Sequence, residues 1–212
     1  MMTLLLLLVF LGVGAAIWFQ GAWNGLVTLI NLVLAAMVAT NYYEPICDLI
    51  ESSGGASFTY VLDFVVLWML FALVFLIFRT ISDLVSPTRV KFEFPVEMGV
   101  RSFAAVWCAW MVVCFFTFSL QLAPLNSAAP LGAWTTLGEG SFLGIAPDKL
   151  WVSFMQNRSM NALSRGKFST KPNHPQNGDR SVEAFDPQDN WLGYQKFRRE
   201  RYEKITDMRV NR

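Results

Sequence analysis

The chain has 212 residues, of which 54% are hydrophobic and only 16% charged, and its net charge at pH 7 is +1. This near-neutral balance averages two unlike parts, because residues 126–212 hold 13 of the 17 Lys and Arg residues. The apolar part excludes an ordinary soluble domain, which would have to bury several long uncharged stretches at once.

Four stretches of the N-terminal part are long enough to cross a bilayer: 4–19, 26–43, 60–78 and 103–120. Asp63 is the only charged residue in any of them. A helix needs about 17–25 residues to span the ~30 Å hydrocarbon layer, where each segment must satisfy its own backbone. The sequence therefore predicts an all-α integral membrane protein with four transmembrane helices in residues 1–125. The first helix is predicted to be retained, because no basic residue precedes it as in a signal peptide.

The basic residues of the short connections predict the orientation. Connections 20–25 and 41–59 contain no Lys or Arg, whereas connection 79–102 contains Arg79, Arg89, Lys91 and Arg101. The positive-inside rule places this basic connection in the cytoplasm. The N-terminus, the acidic connection 41–59 and the C-terminal tail are then predicted to be extracytoplasmic.

Two polar residues inside the apolar stretches are candidate functional residues. Asn31 is predicted to form a hydrogen bond with a neighbouring helix. Asp63 has two interpretations, since it lies in the first turn of the third helix. The helix dipole and interfacial water favour a carboxylate there, but an intramembrane acid also suggests proton or ion handling.

The connection between the first two helices contains Gly21 and Gly25, which are four residues apart. Such a step lets two helix backbones approach closely in a membrane. The alternative is that both glycines serve only the turn, which is short enough to predict an antiparallel hairpin.

The second helix is predicted to end before Pro45, which lacks the N–H of a helical hydrogen bond. Tyr42 and Tyr43 precede it and are predicted to lie at the lipid headgroups. Cys47 would then lie in the outer connection, and the spacing of the three cysteines indicates neither a disulfide nor a metal site.

The tail is predicted to contain a linker at 126–146 and an amphipathic helix at about 148–165. The helix places four apolar residues on one stripe, which we expect to dock on a partner or on the membrane interface: Leu150, Trp151, Phe154 and Met155. Residues 167–189 are rich in Ser, Pro, Asn and Gly and are predicted to be disordered.

A second tail helix is predicted at about 191–207. Its aromatic stripe includes Trp191, Tyr194 and Phe197, and the opposite face is charged. The run from Arg198 to Arg201 is interrupted by Glu200, which favours a solvated helix face over binding to nucleic acid.

Little in the sequence indicates catalysis. The single histidine, His174, lies in the stretch predicted to be disordered, and no phosphate-binding glycine loop or zinc spacing occurs. The sequence therefore predicts a non-enzymatic protein without metal or cofactor.

Four segments form a pattern: the glycine-spaced connection, the end of the second helix, the end of the third helix at Arg79, and a glycine before the fourth helix, which are residues 21–27, 38–45, 75–79 and Gly99. Together they resemble the colicin V production protein family of bacterial membrane proteins. The chain departs from the family at Ala22 and Trp23, where members usually have basic residues.

The resemblance implies a multi-pass protein of the bacterial cytoplasmic membrane that acts in toxin production or export and in envelope function. It implies no catalytic residues. Two other functions fit the sequence: a transport or channel subunit that uses Asn31 and Asp63, and a membrane anchor that binds a protein partner through its tail.

Overall fold

The structure is a computed structural model that describes residues 2–52, 59–85, 93–123, 142, 144–159, 185–186, 191–198 and 201. Five named helices occur in this part of the chain: α1 (Met2–Gln20), α2 (Ala22–Ser52), α3 (Thr59–Val85), α4 (Phe94–Leu122) and α5 (Pro147–Ser159). Residues 191–198 are also helical. The predictions for His174 and residues 202–207 fall outside the described residues.

The first four helices are each long and apolar enough to cross a membrane, which confirms the predicted fold class. Every one extends beyond the uncharged stretch that predicted it, and α2 reaches 31 residues. Large apolar side chains on the outside of α3 are exposed at four-residue intervals, among them Val61, Val65, Met69 and Leu73. An apolar outer surface of this kind suits contact with lipid.

The four helices run alternately up and down, so the bundle has two chemically distinct ends. The acidic end contains the start of α1, the end of α2, the start of α3 and the end of α4. It carries Glu44, Asp48, Glu51 and Asp63. The opposite end, called the basic end after the Lys and Arg residues of connection 79–102, contains the α1–α2 turn, the end of α3 and the start of α4, where Arg79 pairs with Asp83 and Arg101 pairs with Glu97.

Helices α1 and α2 are joined by a single residue, Gly21, whose φ of 88° is a left-handed conformation that favours glycine. The two helices run antiparallel, but they make few contacts with each other. Instead α4 packs along both α1 and α2, while α3 packs mainly on α2.

Gly25 allows this arrangement at the point where three helices meet. A Cβ on Gly25 would lie 3.0 Å from Ala104 Cβ on α4 and 3.3 Å from Ile17 Cγ2 on α1. The two glycines therefore differ: Gly21 serves the turn, and Gly25 serves packing.

The prediction that Pro45 ends the second helix is wrong. Helix α2 continues through Pro45 to Ser52, so Glu44 and Cys47 are helical and not part of a loop. A proline removes one donor from the ladder, and packing against neighbours can hold the helix on both sides of it. Cys47, only 3% exposed, belongs to the largest apolar cluster of the molecule.

Parts of the tail fold back onto the acidic end of the bundle. Helix α5 packs mainly on α4 and also contacts α2. Phe142, within the predicted linker, is buried and packs on Phe10 of α1 and Trp110 of α4, with ring centroids 6.0 Å away in each case. Phe185 and Asp186, within the stretch predicted to be disordered, are also buried.

Candidate functional site at the acidic end

Asp63 forms an ion pair with Arg198 of the tail helix. The guanidinium Nη1 of Arg198 donates to Oδ2 of Asp63, and the two side chains are only 16% and 13% exposed. Neither of the two interpretations from the sequence included a partner from the tail. The expectation of a solvated face is also wrong for Arg198, because its guanidinium is directed toward the bundle.

The Asp63 carboxylate compensates the positive charge of the partly buried Arg198 guanidinium. Burial lowers the pKa of the guanidinium, but the neighbouring Asp63 carboxylate more than offsets that effect, so the pKa is raised above its ordinary value. Removing one member of a buried ion pair typically costs about 3–5 kcal/mol, because the other charge is left without compensation. The pair therefore fixes the tail helix at the start of α3.

Two tryptophan N–H groups of the tail donate to hydroxyl groups on α2. Trp191 Nε1 donates to the Tyr43 hydroxyl at 2.9 Å, and Trp151 Nε1 donates to Thr40 Oγ1 at 3.1 Å. Tyr43 is 1% exposed, so its predicted position among the lipid headgroups is wrong. Buried indoles usually find such a partner, and here the partners belong to the bundle.

Aromatic rings seal the same interface. The Trp191 ring stacks on Phe118 of α4 with centroids 4.7 Å apart and an interplanar angle of 19°. Phe185 lies edge-on to Phe118 at 6.2 Å, and Trp151 lies edge-on to Phe115 at 5.9 Å. The tail thus adds three large buried side chains to the core of the bundle.

The start of α5 is held by a polar contact. Gln121 Nε2 on α4 donates to Asp148 Oδ2 at 2.9 Å, and both residues are buried. Asp148 lies in the first turn of α5, where the helix dipole stabilises a carboxylate.

The predicted docking stripe on α5 divides between two environments. Trp151 and Met155 are 2% and 0% exposed because they pack on the bundle. Leu150 is 49% exposed, while Phe154 is partly buried and lies under the Arg158 guanidinium. Trp151 and Met155 therefore dock within their own chain, whereas Leu150 remains half exposed.

The second tail helix also departs from its predicted stripe. Trp191 and Gln195 are buried, whereas Phe197 is 60% exposed. Residues 191, 195 and 198 repeat at four and three positions, which places them on one helix face. Hydrophobic periodicity does not identify this face, because the face consists of an indole, an amide and a guanidinium and not of apolar side chains alone.

Asn31 belongs to a separate polar group near the basic end. Its Oδ1 accepts a hydrogen bond from Ser82 Oγ on α3 at 3.1 Å, so the predicted interhelical bond is present. Close by, Arg79 donates to Thr28 Oγ1 at 3.2 Å and pairs with Asp83.

Asn31 and Asp63 do not line a common polar path in the described residues. Asn31 lies twelve positions before Tyr43 on α2, about 18 Å along the helix axis. The two turns of α2 that follow Asn31 bury apolar residues, Leu32, Ala35, Ala36 and Ala39, and the buried polar residues Thr40 and Asn41 lie next to Tyr43.

Among the described residues, no group of three or more His, Cys, Asp or Glu side chains is placed to hold a metal ion. What the acidic end does provide is the partly buried carboxylate of Asp63 and the aromatic residues Tyr43 and Phe118, groups that bind a guanidinium and an indole respectively. Comparison of the chain with protein-family models, with curated proteins and with solved structures finds no match.

Proposed function

We propose that the chain is a non-enzymatic, multi-pass protein of the bacterial cytoplasmic membrane, of the colicin V production type, acting in toxin production or export and envelope function. Its four-helix bundle is the membrane part. Its tail is an extracytoplasmic cap that engages other envelope components.

The main support is the combination of an apolar outer surface with an interior closed by the chain itself. The four helices expose large apolar side chains to their surroundings, while the tail covers the acidic end. The glycine-spaced connection that carries the family resemblance also has a defined structural role. Gly21 makes a one-residue turn, and Gly25 brings α2 against α4.

Deletion of the gene in its native bacterium tests the role directly. We expect lower release of peptide toxin and greater sensitivity of the envelope to detergent, both restored by the full chain. Complementation with a chain ending after Leu125 should restore neither, because the cap is lost. Normal toxin release and normal detergent resistance in the deletion strain would contradict the proposal.

Reporter fusions test the proposed orientation. A reporter that is active only in the cytoplasm is attached after Arg212 or, as the matched control, inserted after Val85. We expect activity at Val85 alone, because the basic connection favours the cytoplasmic side. Strong activity at Arg212 would reverse the orientation.

A second candidate function is transport, and Asn31 favours it. The side chain is 5% exposed, and its Nδ2 has no hydrogen-bond partner among the described residues. Asn31→Leu should then abolish transport or a growth phenotype at unchanged protein abundance. An unchanged phenotype would exclude this function.

A further inference from the structure

The acidic end and the tail helix have complementary charges. The last two turns of α2 carry Glu44, Asp48 and Glu51, and Asp63 lies at the start of α3. The tail helix carries Lys196 and Arg198, and Arg198 pairs with Asp63 at this end. Opposite charges on two surfaces favour their association and make it specific for a partner of complementary charge.

The tail helix contacts this end as a bound ligand would. Trp191 and Arg198 are seven residues apart, two helical turns, so both side chains reach the bundle from one face. Trp191 inserts against Phe118 and Tyr43, and Arg198 reaches Asp63. Trp and Arg anchors in buried, complementary surroundings dominate the energy of many protein interfaces.

The covalent link between α5 and the tail helix is too long to place the tail helix at the acidic end by itself. Residues 160–184 are 25 residues that separate α5 from Phe185, and such a length reaches about 80 Å when fully extended. The tail helix at 191–198 is therefore held at the acidic end by its contacts and by a high effective concentration.

We propose that the acidic end of the bundle is a receptor surface for a basic amphipathic helix with Trp and Arg seven residues apart, and that the tail helix at 191–198 occupies it as an intramolecular ligand. A partner protein that presents such a helix displaces the tail segment and pairs its own arginine with Asp63. This binding site goes beyond the proposed function, since it specifies the chemistry of a partner.

A charge exchange tests whether the ion pair holds the segment. Full-length protein in nanodiscs is digested with a protease that cleaves next to aromatic residues, so the exchanged charges leave its cleavage sites unchanged. We expect Arg198→Asp to accelerate cleavage near Trp191 several-fold and Asp63→Arg with Arg198→Asp to restore the original rate. The matched control exchanges Arg79 and Asp83, an exposed pair at the other end, and should leave tail cleavage unchanged. Equal cleavage in Arg198→Asp and the original chain would overturn the proposal.

A peptide added in trans tests the receptor surface itself. The probe is a fluorescent peptide of residues 185–201, and the receptor is the full chain carrying Trp191→Ala and Arg198→Ala. These substitutions lie outside the membrane bundle and weaken the tethered competitor. We expect this variant to bind the peptide at least about tenfold more tightly than the original chain, the factor for a site free in a tenth of the molecules.

Three comparisons decide the result. A peptide with both alanine substitutions should bind the variant chain at least about tenfold more weakly, and Asp63→Asn in the variant chain should have the same effect. A chain with Arg198→Lys keeps the charge, so its affinity for the added peptide should be closer to that of the original chain. Equal binding by the original and variant chains, equal binding of the two peptides, or no binding to the variant chain would each overturn the proposal.

Discussion

At the scale of single residues, identical amino acids have different roles because their surroundings differ. Gly12 on α1 has open space where a Cβ would lie, whereas Gly25 has Ala104 and Ile17 at the limit of contact. Gly25 is thus required by packing, and Gly12 is not.

This difference gives a matched pair of substitutions. Gly25→Val should lower the free energy of unfolding by about 1–3 kcal/mol, because the added atoms force α2 and α4 apart. Gly12→Val should stay within about 0.5 kcal/mol of the original chain, as for a surface substitution. Denaturant titration in detergent, followed by circular dichroism, measures both. Equal losses in the two variants would show that the close approach at Gly25 does not matter.

Individual helices extend beyond what local sequence rules predict. Pro45 predicts a helix end, yet α2 continues for seven residues to Ser52. The residues on either side of Pro45 explain this, because Tyr43 and Cys47 are both buried in the cluster that the tail completes. Burial of these side chains holds the backbone helical where one hydrogen bond is missing.

Pro45→Ala tests the cost of the missing bond. The substitution supplies an N–H at position 45, so amide exchange at residues 46–52 should slow. Stability should rise by up to about 3 kcal/mol, the difference between proline and alanine in a helix interior. Hydrogen exchange with mass spectrometry measures the segment. Faster exchange would mean that a proline-induced bend is needed to place the end of α2 beneath the tail.

At the scale of the whole molecule, the tail completes the core of the membrane bundle. Trp151, Phe185 and Trp191 share one apolar cluster with Tyr43 and Cys47 of α2. This cluster explains why a polar tail without a core of its own still has buried residues.

The reactivity of the Cys47 thiol measures how well the tail covers this cluster. Cys47 is 3% exposed and belongs to the cluster shared with the tail, while Cys108 is 0% exposed within the bundle. Trp191→Ala with Arg198→Ala should increase alkylation of Cys47 by a soluble maleimide, because the cover over it loosens. Cys108 serves as the internal control and should not change. Mass spectrometry of the labelled peptides distinguishes this result from general unfolding, in which both thiols would react.

The sequence by itself determined the four membrane helices, their order and the division into an apolar bundle and a polar tail. These features follow from hydropathy over about twenty residues, a local property that lipid imposes on each segment separately. It also predicted the bond from Asn31 to a neighbouring helix, since a buried amide in lipid needs a partner.

Only the tertiary structure decided how these parts meet. The partner of Asp63 lies 135 positions away in the chain, and that of Tyr43 lies 148 positions away. No local period connects such residues, because their pairing depends on how the tail folds over the end of the bundle. The docking stripe on α5 was assigned to a partner for the same reason: amphipathicity shows that a face is buried, but not which surface covers it.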